Sequence, residues 1–168
     1  GISMIAENLE KAYENGEDRE ARRNMMIAST IGGMAFISSN VGAVHAFAET
    51  VGAWFDTPHG VANSLFLPYI MEFNIPACPE RFADIADAMG IEREESMSDE
   101  QYALKAVEYV KALNRKLNIP TIKEIKGITE ERFEAIAERS ANNVLSNDNA
   151  RKITKEDYLE LLKKAYNE

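Results

Sequence analysis

The chain has 168 residues, enough for one domain with a core of its own. With 19 basic against 28 acidic side chains its net charge is −9, which repels phosphate backbones and excludes nucleic-acid binding as a reading. Its one cysteine, Cys78, excludes an intrachain disulfide and a CxxC metal motif, and fits a reducing, cytoplasmic setting.

Ile2, Ile5, Leu9 and Tyr13 fall at helical spacing and predict a first amphipathic helix over Ile2–Glu14, stopped at Asn15-Gly16. That helix is under way at the first residue, and position 1 is Gly rather than Met, so we expect a piece of a longer protein. Asp18 is placed to cap a second helix running to about Ile37, broken by Ser38-Ser39-Asn40. A third helix is predicted over Val41–Phe55, a turn at Asp56-Thr57-Pro58, and a fourth helix from about His59 to Phe73. Pro79 suits the first turn of a fifth, ending at Met89-Gly90. Ser98 or Asp99 caps a helix reaching Leu117, and Thr129 caps one reaching Ser140. Thr154 and Asp157 have capping-box spacing before a last helix to about Tyr166.

No strand alternation, internal repeat, GxGxxG after a strand or GxxxxGK[ST] loop is present. No basic-then-apolar leader opens the chain. No apolar stretch of membrane-spanning length is free of Gly, Ser, Asn, Thr or charge, so no membrane partner is expected. The expected fold is all-α, a compact array of about eight helices in a single domain. Between Met26 and Met71 the only charged side chains are Glu49 and Asp56, which predicts the deep core there.

Both histidines, His45 and His59, lie inside VHAFAETVGAWFDTPHG. On a helical wheel His45, Glu49, Gly52 and Asp56 share one face, provided the third helix extends to Asp56. A polar stripe on a buried helix needs partners, since each unpaired group costs about 1–3 kcal/mol. Gly52 leaves room on that face for a close approach. A tight turn at 56–58 would fold the fourth helix back and let the two imidazoles converge. Two neutral imidazoles are half of a closed metal site. The competing reading is a hydrogen-bonded core histidine and a helix-start histidine with no ligand role. HExxH is absent, which removes the metalloprotease reading.

The run AFISSNVGAVHAFAETVGAWFDTPHGVANSLFLPYIMEFN resembles the signature of the iron-containing alcohol dehydrogenases, in the order AF, G, HA, G, PHG, LP, FN. DREARRNM before it, Ile119-Pro120 and Gly127 after it, and the last forty residues extend the likeness over the chain, but only to the helical C-terminal part of that family. The resemblance implies two metal ligands, His45 and His59, for iron or zinc. It implies that the other two ligands, an Asp and a His, lie before Gly1, together with an N-terminal α/β domain that binds NAD or NADP. It places Phe36 at the substrate pocket. The implied reaction interconverts an alcohol and its aldehyde or ketone by hydride transfer, with the metal as Lewis acid, in a cytoplasmic homo-oligomer. The chain alone is expected to be inactive.

Two positions depart from the family pattern. Glu49 stands where a second histidine is common, and we read it as a candidate catalytic residue. Its carboxylate would add negative charge near the metal, relay a proton or join the metal shell; the bland alternative is a variant tied to its neighbours. Asn149-Ala150-Arg151 stands where Asn-Pro-Arg is usual, with the Arg expected to tie the last helix down. The contrasting functional class is a non-catalytic helical interaction module that kept this fold.

Overall fold

A computed structural model describes all 168 residues. The chain forms eight α-helices and no strand: α1 (Ile2–Glu14), α2 (Arg19–Ser39), α3 (Ala43–Phe55), α4 (His59–Asn74), α5 (Pro79–Ala88), α6 (Asp99–Lys116), α7 (Phe133–Ala141) and α8 (Lys155–Asn167). Short 3₁₀ turns occupy Ile75–Ala77, Ile122–Glu124, Glu130–Arg132 and Val144–Asp148. The all-α expectation holds. No single helix is long and apolar enough to cross a membrane.

Three helix starts carry the side-chain caps that the local sequence offers. Asp18 accepts from the backbone N–H groups of Glu20 and Ala21, and Ser98–Gln101 and Thr154–Asp157 form capping boxes on α6 and α8. Two starts differ from the sequence reading. Thr129 makes no side-chain cap; Glu130–Arg132 is a 3₁₀ turn and α7 begins only at Phe133. The third helix begins at Ala43 rather than Val41, because Gly42 is its N-cap and has no side chain to cap with. At the far end of α2, Ser39 bonds back to the Ala35 carbonyl and stays helical. Only Asn40, at φ 55°, ends that helix.

The larger core joins α3, α4, α7 and α8, with Phe47 stacked on Phe66 at 4.2 Å and Tyr158 edge-on to Phe47 at 4.6 Å. A smaller core lies between α5 and α6, closed by Met71 of α4 and Ile75 of the 3₁₀ turn that follows it. The expectation that Met26–Met71 is deep core throughout fails on α2. That helix turns 109° from α3 and packs mainly along α1. Met26, Ile27, Ile31, Met34 and Ile37 are therefore exposed. The uncharged composition marks a face meant for burial, and α1 covers only part of it.

Two carboxamides solve backbone problems that the helices create. Pro68 sits inside α4 and has no N–H, so the Ser64 carbonyl loses its helical partner. Asn114 of α6 donates to it at 2.7 Å. Asn149 serves three segments at once. Its Oδ1 accepts from the Ala43 backbone N–H at the start of α3 and from Asn74 Nδ2; its Nδ2 donates to Asn74 Oδ1 and to the Arg151 carbonyl. A Cβ on Gly42 would stand 2.9 Å from Asn149 Oδ1, so this close approach requires glycine. Arg151 donates to the Phe73 carbonyl and stacks over the Phe73 ring, tying the approach to α8 onto the end of α4 rather than holding the last helix itself.

Asn149→Ala is expected to lower unfolding free energy by about 1–3 kcal/mol in urea titration, because it strands the Ala43 N–H and the buried Asn74 amide. A second expectation concerns alkali. Burial pushes the phenols of Tyr158 and Tyr69 up to about 12, with Glu168 adding to the effect at Tyr69. A raised tyrosine pKa means stability that is complete below the unfolded value near 10 and is lost as pH rises toward 12. Tyrosine absorbance and helical circular dichroism followed together should therefore show these two phenols ionising only as the helices melt.

Candidate metal centre

His45 and His59 are brought together by how α3 ends. The helix stops at Phe55, and Asp56, in the left-handed region at φ 50°, reverses the chain. Asp56 is thus a cap residue and not a fourth member of the polar stripe. The returning chain passes so close to α3 that a Cβ on Gly52 would lie 3.2 Å from the Thr57 carbonyl oxygen. Gly52 is the room the stripe leaves, and Thr57 is what fills it. The fourth helix can then start alongside the middle of α3, and the two imidazole centroids stand 5.3 Å apart at an interplanar angle of 51°.

His45 is half-buried, and its Nδ1 is buried without a hydrogen-bond partner. Burial lowers its pKa, the neighbouring His59 lowers it further, and Glu49 opposes both. The ring is thus held toward the neutral form. His59 is exposed at the first position of α4, and its Nε2 lies 3.1 Å from Asn63 Nδ2. That amide also donates to the His59 carbonyl, while its Oδ1 is buried and unpartnered. A ligand approaching Nε2 of His59 must displace the Asn63 amide. Asn63 was legible in principle, since it follows His59 by one helical turn.

Glu49 is exposed one turn beyond His45. Its Oε2 accepts from Asn143 Nδ2 at 2.7 Å, and Asn143 is fixed in turn by accepting from the Leu145 backbone N–H. No group of three or more His, Cys, Asp or Glu side chains comes close enough to hold a metal ion. Glu49 therefore does not complete a cluster with the imidazoles. Phe36 lies exposed in the last turns of α2. The structure thus joins His45 to His59, sets Glu49 beside them under a separate clasp, and leaves Phe36 on an open face.

Residues 1–166 match the model of the C-terminal part of the Fe-containing alcohol dehydrogenase family. The chain is 37% identical over 165 residues to a 1,3-propanediol dehydrogenase of Citrobacter freundii, covering 98% of this chain and 42% of that protein. It is 38% identical over 149 residues to a lactaldehyde reductase of Escherichia coli K12, covering 89% of this chain and 39% of that protein. Among solved structures, an alcohol dehydrogenase from Oenococcus oeni superposes with a TM-score of 0.93 at 39% identity, over 98% of this chain and 43% of that one. The chain thus spans about two fifths of the length of the relatives it matches.

Gly52→Val is expected to force the 56–58 turn off α3, because added methyls would meet the Thr57 carbonyl. The expected cost is about 1–3 kcal/mol, with loss of the nuclear Overhauser contacts between the His45 and His59 rings. Retention of those contacts in a stably folded variant would remove Gly52 from the account of convergence.

Proposed function

The chain belongs to the iron-containing alcohol dehydrogenase family, as its C-terminal part, and on that premise we propose that it is the metal-ligating helical domain of an NAD(P)-dependent alcohol dehydrogenase. The observation that carries the reading is the pair of imidazoles at 5.3 Å, one with an unpartnered buried nitrogen. Buried polar atoms without partners are rare and call for an occupant. Two neutral imidazoles suit iron or zinc and amount to half a shell. In this reading the remaining ligands and the dinucleotide-binding α/β domain belong to an N-terminal part, outside the two fifths of the relatives that this chain matches.

The residues then divide the work. His45, from the first turn of α3, and His59, from the first residue of α4, would hold a divalent cation. Asn63 keeps His59 oriented through its contact with Nε2 and its bond to the His59 carbonyl. Phe36 gives the substrate's carbon chain an apolar edge. Glu49 sets a fixed acceptor one turn from His45. Bound there, a divalent cation supplies Lewis acidity toward an alcohol or carbonyl oxygen, and NAD or NADP supplies hydride exchange. Two ligands alone hold a cation loosely, so the isolated chain is inactive in this reading. The exposed apolar face of α2 supports self-association of the chain when nothing else covers it.

Cobalt(II) titration of the chain, read by visible absorption, tests the assignment. His45→Ala and His59→Ala should each weaken binding by about tenfold or more, while Asn63→Ala should not weaken it, since it frees His59 Nε2. Unchanged cobalt binding in the double histidine variant would sink the metal reading.

A further inference from the structure

The face of α2 that this chain leaves open has an order to it. Ala21, Asn24 and Ala28 turn toward α1, where Asn24 donates to Asn8 at 3.1 Å. At about 100° per residue, the opposite side begins with Arg19, Arg22 and Arg23. It then runs through Met26, Thr30, Gly33, Met34 and Ile37. Met26, Met34 and Ile37 are 73%, 67% and 77% exposed. A line of bare apolar side chains along a helix is a surface that some partner covers.

Two features of that line indicate the partner. The first is Gly33, in the interior of the helix, where glycine costs helical stability. A Cβ there would meet nothing within 4 Å, so no neighbour in this chain requires its absence. The missing side chain serves a close approach from outside. Thr30, one turn before it, suits a dry contact, since its hydroxyl already donates to the Met26 carbonyl. The second feature is charge. At the start of the line Arg19 and Arg22 make no ion pair, and Arg23 reaches only Glu20, at 3.8 Å. At the other end, the last turn of α2 holds no basic residue, although the helix dipole favours one there. Asp148 stands at that end, exposed, accepting from Asn40 and paired with no cation. Each end lacks what the other supplies, and one straight helix cannot bring its own ends together. A second copy running antiparallel does.

We propose that this face of α2 is a two-fold interface between two copies of the chain, with the axis at Thr30. Met26 packs on the partner's Met34, and the reciprocal contact forms on the other side of the axis. Gly33 lets the helix axes approach to about 8 Å, the short end of the range for helix pairs. Arg23 lays its apolar stem over the partner's Ile37. Arg19 and Arg22 reach the C-terminal end of the opposing helix and the partner's Asp148. Such a contact is isologous, so it closes at two copies and leaves no open end for further growth. Phe36 lies off this line, and His45 and His59 are on α3 and α4. The pairing therefore depends on neither the proposed substrate edge nor the metal centre.

Sedimentation equilibrium of the 168-residue chain tests the pairing. The mass should rise from one chain to two and stop there, with a Kd tighter than about 100 μM. Met34→Glu sets a carboxylate against the partner's Met26 and should weaken the dimer at least about tenfold, with the urea midpoint unchanged at dilutions where every chain is monomeric. Gly33→Leu should weaken the dimer equally yet raise that monomer midpoint, because it fills open space and improves the helix. A purely structural glycine would not give those opposed signs. Arg19→Glu with Arg22→Glu should weaken the dimer, and Asp148→Arg added to them should restore part of it. Monomer mass at about 100 μM overturns the proposal and leaves the face to a different polypeptide, such as the rest of a longer chain. A dimer unmoved by Met34→Glu and Gly33→Leu places the contact elsewhere and overturns it too, as do species that grow past two copies.

Discussion

The side chain of Asn149 sits where three segments must meet and none can satisfy its own backbone. At the start of α3, the first N–H groups have no intrahelical acceptors and Gly42 offers no capping oxygen. Asn74, in the last turn of α4, is buried and needs partners for both ends of its amide. The chain approaching α8 needs an anchor. One carboxamide meets all three demands, by pairing both ways with Asn74 and reaching Ala43 and Arg151. The direction in which α3 departs, and hence where His45 points, is therefore set by a residue over a hundred positions further along the chain. Replacing a neighbouring proline by Ala150 leaves this arrangement intact, because the bonds run through Asn149 and Arg151.

The candidate centre inherits its precision from that anchoring and from the turn after α3. Gly52 and Asp56 fix how the chain returns, and the return fixes which side of α3 the fourth helix faces. Around the imidazoles the polar atoms are unevenly satisfied. Thr57 Oγ1, Asn63 Oδ1 and His45 Nδ1 are buried without partners, whereas Glu49 is clasped. Unsatisfied groups concentrated at one place, in a fold that otherwise matches donors to acceptors over long range, are what an incomplete polar site looks like.

Much of this was legible in the residues. The helices followed from spacing, caps and breakers, and the convergence of His45 with His59 followed from a fourteen-residue separation and a Pro-containing turn. Some of what is not legible depends on partners distant along the chain. α3 starts at Ala43 rather than Val41, and its first N–H finds its acceptor on the distant Asn149. That Glu49 is tied to a neighbour is one of the two sequence readings, but its partner, Asn143, lies 94 positions away and is not legible there. The reading of α2 as core failed for the opposite reason. Its apolar sequence states that it should be buried, and composition alone does not say by what. Asp56 joins the helical stripe only if α3 runs on to it, and nothing in DTP announces that the aspartate itself takes the left-handed turn.

The turn at Asp56-Thr57-Pro58 also bears on the order of assembly. The two imidazoles are joined by a short loop whose closure entropy is small, so the α3–α4 hairpin can bring them together before any long-range contact forms. Helical hairpins of this kind equilibrate on fast timescales, whereas the Asn149 anchor must wait for most of the chain. A nascent polypeptide would thus present both rings early and lock their bearing late, while the remainder is still being folded around them.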